Sequence, residues 1–255
     1  MNFFGYQSAA ERYAHYRPYF HPLVIEQIKL YLQLVEPVAQ AVDVGCGTGQ
    51  STFALKAIAR SIIGVDLSAA MLAAAPQDPA IQYIEAPAEA IPLPAASADL
   101  LTTSLAFHWF DQPRFWAEAQ RLLKAQGWLV IYNNGFAGQM KENPAFAQWS
   151  NQIYLNCYPS PPRHQQPLTV EEAQVAGFHF AHQTRYENEV EFSVEELAAY
   201  LTTQSNVIAA VEQGKENWAE VYSWLVGELT PFFVTDKATF TFGGYIWYLQ
   251  KRATL

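Results

Sequence analysis

Apolar segments of strand length alternate with segments of helical periodicity between residues 22 and 136 of this 255-residue chain. We predict strands that end at Val44 and at Asp66, followed by strands over 81–85, 99–105 and 128–133. The predicted helices cover 22–35, 51–59, a short segment N-capped by Ser68, and 112–125 capped by Asp111. This alternation is typical of parallel strands joined by crossover helices, so the pattern predicts an α/β fold.

The pattern changes after residue 136. Residues 137–168 contain five prolines around an aromatic, helix-like stretch at 146–158, which is too apolar for a solvated linker and predicts an insertion. Two capping boxes, Thr169–Glu172 and Ser193–Glu196, predict helix starts. The other segments predict a strand over 178–192, a helix over 215–228, and a strand over 239–249 that bends at Gly243-Gly244.

Composition narrows the function classes. Charged residues make up only 15% and aromatic residues also 15%, so apolar surface must be packed, covered or presented to a ligand. The net charge of −9 repels phosphate backbones and anionic lipid, and we expect no nucleic-acid substrate. Cys46 and Cys157 form no disulfide or metal-binding pattern, which fits a reducing cytoplasm. Without a leader pattern or a long apolar run, we expect a cytoplasmic protein with no membrane span.

A glycine-rich loop follows the first predicted strand, and an acid closes the second. Glycines at 45, 47 and 49 remove Cβ where the backbone must turn and approach a ligand closely. A dinucleotide fingerprint would require glycine at position 50, where this chain has Gln50. The carboxylate of Asp43 suits a cation better than a pyrophosphate, and that of Asp66 can accept hydrogen bonds from ribose hydroxyls. The spacing therefore predicts a nucleoside that carries an amino or sulfonium group and no phosphates.

At residues 8–136 the chain resembles the class I S-adenosylmethionine-dependent methyltransferases. The motifs that carry this resemblance are the segments 42–50, 64–68, 86–92 and 98–111. Two further strings, Tyr13–Pro18 and His108–Asp111, resemble the small-molecule branch that includes trans-aconitate methyltransferases. The resemblance implies a Rossmann-like, doubly wound, mostly parallel sheet of seven strands with an antiparallel last strand.

We accordingly expect one methyltransferase domain over residues 1–255. Its segments would be an N-terminal lid with the first helix (1–35), the cofactor-binding core (36–136), an insertion or lid (137–175), and the C-terminal strands and helices (176–255). Nothing in the sequence predicts an oligomeric state.

The resemblance also implies which residues bind the cofactor, S-adenosyl-L-methionine. The glycine loop would face its methionine half, Asp66 its ribose, and the loop after the third strand its adenine. The full predicted set is Arg17, Asp43, Gly45, Cys46, Gly47, Gly49, Asp66, Leu67, Met71, Ala88, Glu89, Ser104 and Leu105. Arg17 is included because a guanidinium can pair with the methionine carboxylate.

On the substrate side, His108 is the candidate catalytic residue, because an imidazole just past the fourth strand can accept a proton from a hydroxyl. The alternative is that His108 only lines the pocket or orients Trp109. The predicted substrate-binding residues are Tyr13, Tyr16, His108, Trp109 and Trp149. For the aromatic residues, ordinary packing is the alternative.

We predict in-line transfer of the sulfonium methyl group to a small-molecule acceptor, with oxygen of a hydroxyl or carboxylate favoured and no metal required. A carboxylate substrate would want basic residues, for which Arg163, His164 and Arg185 are candidates. Two alternatives stay open. One is carbon or nitrogen methylation of an apolar or aromatic metabolite, and the other is a non-catalytic protein that binds the cofactor or its demethylated product.

Overall fold

The computed structural model describes residues 6–160 and 168–252, and within them the apolar periodicities give eight strands and eleven α-helices. The strands are β1 (Val38–Val44), β2 (Ala59–Asp66), β3 (Ile81–Glu85), β4 (Ala98–Ser104), β5 (Leu123–Tyr132), β6 (Gly135–Met140), β7 (Phe178–Phe192) and β8 (Ala238–Lys251). The helices are α1 (Gln7–Tyr16), α2 (His21–Tyr31), α3 (Gln50–Ala54), α4 (Ala69–Ala73), α5 (Gln112–Leu122), α6 (Ala145–Trp149), α7 (Leu155–Cys157), α8 (Val170–Val175), α9 (Val194–Leu201), α10 (Ser205–Glu212) and α11 (Trp218–Leu229).

Five parallel strands lie in the order β3-β2-β1-β4-β5. Val42 of β1 lies opposite Ile63 of β2 and Leu101 of β4. These central strands are buried along their apolar positions, as expected where helices cover both faces of a parallel sheet. The second half of β8 pairs antiparallel with β5, with Val130 opposite Tyr248, and β7 also pairs with β8. This strand order confirms the Rossmann-like, mostly parallel sheet with an antiparallel last strand. The described sheet has eight strands where the sequence predicted seven, since β6 also pairs antiparallel with β8.

The described chain divides into two compact units. The larger unit comprises residues 19–133, 168–185 and 244–252, and its core packs strands β1, β2, β4 and β5 against helix α5. The smaller unit comprises residues 6–18, 134–160 and 186–243, and its aromatic-rich core includes Phe146, Trp149 and Tyr200. Strands β7 and β8 each pass through both units. The expected single domain of residues 1–255, with its four segments, stays a prediction.

Local sequence signals fixed several elements as predicted. Strands β3 and β7 have the predicted bounds, and β2 ends at Asp66. Both capping boxes form: the amide of Glu172 donates to Oγ1 of Thr169 at 3.1 Å, and that of Glu196 to Oγ of Ser193 at 3.2 Å. Ser68 caps α4 through the Met71 amide.

Three predicted helices were too long. The helix over 22–35 ends at Tyr31, because Gln33 takes a left-handed conformation with φ of 51°. The helix over 51–59 is α3 followed by a 3₁₀ turn, and Ala59 already begins β2. The helix over 112–125 ends at Leu122, since the backbone of Leu123 is extended and pairs with Ala98, so β5 starts five residues before the predicted strand at 128.

Three features of the smaller unit were not predicted. Strand β6 contains two glycines and lacks a clear polar–apolar alternation. Helix α10 follows α9 closely, with its N-cap Gln204 supplying no side-chain capping bond. The helix-like stretch at 146–158 is divided into α6, a π-helical turn over Ser150–Tyr154, and α7. None of the described helices is long and apolar enough to cross a bilayer.

Candidate functional site

The loop after β1 depends on three glycines with positive φ. These angles are +70° at Gly45, +53° at Gly47 and +74° at Gly49, a region that residues with a Cβ rarely adopt. A Cβ on Gly45 would lie 2.5 Å from the Cβ of Ala106, whereas a Cβ on Gly47 would meet no heavy atom within 4 Å. Gly45 therefore serves close packing inside the protein, and Gly47 borders open space beside the loop.

Asp43 lies one residue before the end of β1 and is fully buried. Its Oδ2 accepts hydrogen bonds from Oγ of Ser51 at 2.6 Å and Oγ1 of Thr52 at 2.8 Å, and its Oδ1 accepts one from Oγ1 of Thr102 at 2.8 Å. Burial raises the pKa of this carboxyl. Asp43 thus ties β1 to the start of α3 and to β4, so the geometry gives it a bracing role in the loop. Contact with the cofactor stays a prediction for this residue.

Asp66 closes β2 beside the same loop and is only partly buried. Its Oδ2 accepts a hydrogen bond from the Gly47 amide at 2.8 Å, and its Oδ1 accepts one from the Ser68 amide at 2.9 Å. Burial also raises the pKa of this carboxyl. Because each carboxylate oxygen has two lone pairs, both oxygens keep acceptor capacity for a ribose diol. The two backbone amides thus fix the orientation of this carboxylate, and its contact with a ribose stays a prediction.

Three further predicted residues flank these acids. The thiol of Cys46 is buried, and burial with the nearby charge of Asp43 raises its pKa well above the ordinary value. A thiol in this state is a weak nucleophile, so Cys46 serves as an apolar wall of the loop. Leu67 is 59% exposed, while Met71 is buried.

The loop after β3 was predicted to border the adenine. Ala88 is buried there, in the core of the larger unit. Oε1 of Glu89 accepts a hydrogen bond from the Asp111 amide at 2.8 Å, at the start of α5. One oxygen of Glu89 is therefore engaged by the protein, and contact of this side chain with the adenine stays a prediction.

Strand β4 ends at Ser104, whose Oγ is buried without a hydrogen-bond partner among the described residues. The hydroxyl of Thr48 in the glycine loop is likewise buried without a hydrogen-bond partner among the described residues. Leu105 has a φ of 56°, and its amide donates to the carbonyl of Tyr132 at 3.0 Å. Buried polar groups are normally satisfied, so orphaned hydroxyls at the carboxyl ends of β1 and β4 fit a polar ligand such as a nucleoside.

His108 and Trp109 lie in a 3₁₀ turn just after β4, as the sequence predicted. Both are half-buried, and their ring centroids are 5.0 Å apart. The carboxyl ends of parallel strands are where open α/β sheets bind ligands, so this position suits a pocket wall and a proton acceptor equally.

Four predicted residues lie in the smaller unit. The guanidinium of Arg17 is 4.6 Å from the ring centroid of Tyr13 and 5.3 Å from that of Tyr200, and its Nη2 donates to the carbonyl of Thr203 at 2.8 Å. Within the part of the chain that the structure describes, no carboxylate pairs with Arg17. Tyr16 is half-buried near the end of α1.

Trp149, the last of the four, is buried in the core of the smaller unit, where its Nε1 donates to Glu228 at 2.9 Å. Packing accounts for this position, and its role in substrate binding stays a prediction.

The structure brings most of the predicted cofactor residues to one end of β1, β2 and β4 in the larger unit. Sequence reasoning missed Ser51, Thr52 and Thr102, whose hydroxyls bind Asp43. The positions of Ser51 and Thr52 in the first turn of α3 were a usable signal, whereas Thr102 is 59 residues away.

Of the three basic residues predicted as candidates for binding a carboxylate substrate, one lies in the described part of the chain. Arg163 and His164 lie outside the described residues, and Arg185 is exposed on β7. Over residues 6–160 and 168–252, no group of three His, Cys, Asp or Glu side chains is arranged to hold a metal ion.

Part of this chain matches a known protein family and individual proteins. Residues 42–131 match the methyltransferase domain family. A methyltransferase of Dictyostelium discoideum is 32% identical over 138 residues, which are 54% of this chain and 52% of that protein. Trans-aconitate 2-methyltransferase of Deinococcus radiodurans is 36% identical over 100 residues, 37% of this chain and 38% of that protein. The chain thus matches about half or less of the length of these relatives.

Solved structures with the same fold cover nearly the whole chain. A type II methyltransferase of Anaeromyxobacter dehalogenans gives a TM-score of 0.67 at 24% identity, over 92% of this chain and 97% of that one. Phosphoethanolamine N-methyltransferase 2 of Haemonchus contortus, in complex with phosphomonomethylethanolamine and S-adenosylhomocysteine, gives a TM-score of 0.55 at 18% identity, over 97% of this chain and 58% of that one.

Proposed function

We propose that this protein transfers the methyl group of S-adenosylmethionine to an oxygen atom of a small molecule, since residues 42–131 match the methyltransferase domain family. The observation that carries the proposal is the Asp66 carboxylate, held by the amides of Gly47 and Ser68 beside a loop where Gly47 borders open space. The bound S-adenosylhomocysteine of a structural neighbour supports the choice of cofactor.

The residues at the ends of β1, β2 and β4 fit this cofactor. Asp66 would accept hydrogen bonds from both ribose hydroxyls, and the buried hydroxyls of Thr48 and Ser104 offer polar contacts. Gly47 leaves room for the methionine half against the backbone. When bound, the cofactor supplies a methyl group on a positively charged sulfur, and the nearby carboxylates of Asp43 and Asp66 suit that charge.

The protein's own contribution is then orientation and exclusion of water. Holding two reactants in reactive geometry supplies roughly 7 to 11 kcal/mol of the barrier, so no strong catalytic group is required. His108 would accept a proton if the acceptor is a hydroxyl, whereas a carboxylate acceptor needs no base. Trp109, beside His108, would line the pocket near the sulfonium, where an indole face contributes about 0.5 to 2 kcal/mol.

Oxygen of a carboxylate or hydroxyl is the acceptor that the observations favour. Arg17 is a half-buried cation whose described partners are two aromatic rings and one carbonyl, and such a cation favours a carboxylate ligand. That carboxylate would belong to the cofactor or to the acceptor. The relative named trans-aconitate 2-methyltransferase supports an acidic acceptor. The net charge of −9 disfavours nucleic acid as a substrate.

A second candidate function is methylation of carbon or nitrogen on an apolar or aromatic metabolite. The observation that favours it is the aromatic character of the smaller unit, in which Phe136, Phe146, Trp149 and Tyr200 pack in one cluster. Aromatic side chains bind flat, apolar ligands through stacked and edge-to-face contacts.

The test is methyl transfer from tritiated S-adenosylmethionine to fractions of a cell extract, followed by alkali treatment and identification of the labelled products by mass spectrometry. Alkali releases volatile methanol from methyl esters but leaves ethers, methylamines and C-methyl groups intact. We expect labelled product, with ester or ether chemistry, from the wild-type protein and much less from an Asp66→Asn control at a subsaturating cofactor concentration. A product methylated on carbon or nitrogen would select the second function. No product from any fraction, with S-adenosylhomocysteine still bound, would indicate a non-catalytic binding protein.

Substitution of His108 by Gln addresses the role of the imidazole once the acceptor is known. General base catalysis contributes about 10²- to 10⁴-fold, so turnover of a hydroxyl acceptor should fall by that factor. An unchanged turnover would assign His108 to the pocket wall.

A further inference from the structure

Two charged side chains on α5 hold the loop between β3 and β4. Oε1 of Glu118 accepts a hydrogen bond from the Ile91 amide at 2.6 Å. Nη1 of Arg121 donates to the carbonyl of Leu93 at 2.6 Å, and its Nη2 donates to the carbonyl of Ile91 at 2.8 Å. Three backbone groups of a loop without strand partners are therefore satisfied by one pair of side chains.

The pair is also bonded internally in a bidentate arrangement. Nε of Arg121 donates to Oε2 of Glu118 at 2.8 Å, and Nη2 donates to Oε1 at 2.7 Å. The fork of Arg121 lowers the pKa of the Glu118 carboxyl, so the carboxylate is charged near neutral pH. Glu118 is only 7% exposed, whereas the Arg121 side chain is 38% exposed, so the pair is half-buried. Its bidentate geometry fixes the orientation of both side chains more strongly than a single contact would.

The loop held in this way is the one that carries Ala88 and Glu89. Its first part is tied to the start of α5 by the bond from the Asp111 amide to Glu89, and its second part is tied to the end of α5 by Glu118 and Arg121. Ala88 and Ile91 also pack into the same core as α5. The position of residues 86–93 is thus set by α5 at two separate points.

We propose that Glu118 and Arg121 are positioning residues that set the loop of residues 86–93 against the adenine of the cofactor, and so determine selectivity for adenine over other bases. This inference rests on the proposed function, because it takes Ala88 and Glu89 as the adenine border. Neither side chain contacts the cofactor in this assignment, and both act through the backbone of the loop.

The experiment compares binding of S-adenosylhomocysteine and its inosine analogue by calorimetry, in the wild type and in the variants Arg121→Met, Arg121→Lys and Glu118→Gln. We expect the preference for the adenine ligand to narrow by about 10-fold in Arg121→Met, since two charge-assisted bonds to loop carbonyls and two to the Glu118 carboxylate are lost. Glu118→Gln keeps an acceptor for the Ile91 amide and should narrow the preference less. Arg121→Lys keeps the positive charge but lacks the planar guanidinium with its paired donors. Its preference for the adenine ligand should therefore be narrowed as in Arg121→Met.

The matched control is Lys124→Met. Lys124 is the second residue of β5 and pairs with Asp99 at 2.7 Å with similar side-chain exposure, 40% against 38% for Arg121. Among the described residues it makes no hydrogen bond or ion pair with residues 86–93. The preference of Lys124→Met for the adenine ligand over the inosine analogue should equal that of the wild type. Hydrogen exchange adds a second readout. The Ile91 amide should exchange faster in Arg121→Met and Arg121→Lys than in the wild type, and its exchange rate should be unchanged in Lys124→Met.

Loss of global stability alone would weaken both ligands equally and leave their ratio unchanged, and that result would overturn the inference. If Arg121→Met does not fold, the same ratio in Arg121→Lys and Glu118→Gln decides. Failure of the wild-type protein to bind S-adenosylhomocysteine at all would instead refute the proposed function. An unchanged ratio with tight wild-type binding refutes only the positioning role.

Discussion

Asp43 and Asp66 lie on neighbouring strands, and burial raises the pKa of both carboxyls. Their partners separate their roles. Asp43 is bonded by three side-chain hydroxyls and is fully buried, whereas Asp66 is bonded by two backbone amides and is partly exposed. Their environments thus give these two aspartates different roles. Asp43 ties neighbouring segments together, and Asp66 is available to a ligand.

Asp66→Asn should weaken S-adenosylhomocysteine binding by about 10- to 100-fold, because hydrogen bonds to a charged acceptor contribute roughly 1.5 to 3 kcal/mol each. Calorimetry measures this change. Asp78→Asn is the control, since Asp78 is paired with Lys56 and accepts from the Ala80 amide, with no hydrogen bond to the glycine loop among the described residues. Equal affinities of Asp66→Asn and the wild type would contradict ribose recognition by this residue.

The raised pKa of Asp66 gives this binding a pH dependence with a definite sign. The ionised carboxylate is the better acceptor, so affinity is full above the pKa of the free protein and falls as the pH drops through it. Because burial raises that pKa above its ordinary value of 3.8, the loss begins at a higher pH than for an exposed aspartate. The loss should be absent in Asp66→Asn, and a parallel slope in both proteins would assign it to another group.

A pair of alanine substitutions separates the roles of two loop glycines. Gly47→Ala costs roughly 1 to 2 kcal/mol of backbone strain at positive φ and places a methyl group in the open space beside Asp66. We expect a modest loss of thermal stability and at least about a 10-fold loss of S-adenosylhomocysteine affinity. Gly45→Ala carries the same strain plus a clash with Ala106 costing roughly 1 to 3 kcal/mol, so its melting temperature should be lower. Unimpaired binding of S-adenosylhomocysteine by Gly47→Ala would show that this ligand does not bind against Gly47.

At the level of elements, local signals explain what could be predicted. Capping boxes, a glycine loop and apolar runs act within a few residues, which is why Thr169, Ser193 and Asp66 mark element ends correctly. Strand β6 and the early start of β5 depend on pairing with residues far away in sequence. The same limit applies to the site, because the bond from Thr102 to Asp43 and the bonds from Arg121 to the loop join distant segments.

The N-cap of α9 offers a test of one such local signal. Ser193→Ala removes the hydroxyl that accepts from the Glu196 amide and should lower the free energy of unfolding by about 1 kcal/mol. Ser223→Ala, in the exposed interior of α11, is the matched control and should be neutral or slightly stabilising. Urea unfolding measures both. Equal stability of the two variants would mean that the capping box contributes nothing in solution.

On the scale of the whole molecule, charge and aromatic content point to different features of an acceptor. The chain has 24 acidic and 15 basic residues, so its long-range field repels anions. Arg17 provides a local positive charge in the smaller unit, and the core of that unit is rich in aromatic side chains. An acidic acceptor must therefore approach against the net field and be held by short-range contacts.

Ionic strength distinguishes the two acceptor classes. The Debye length falls from about 30 Å at 0.01 M salt to about 8 Å at 0.15 M, which screens the net field but leaves contacts within a few ångströms largely intact. For a di- or tricarboxylate acceptor, kcat/KM at saturating cofactor should rise about 2- to 10-fold over this range, because the repulsion that slows encounter is removed. A neutral aromatic acceptor should show no change. If kcat/KM for a polycarboxylate falls with salt instead, a local positive field at the entrance dominates the net charge, and steady-state rates across a salt series decide between these outcomes.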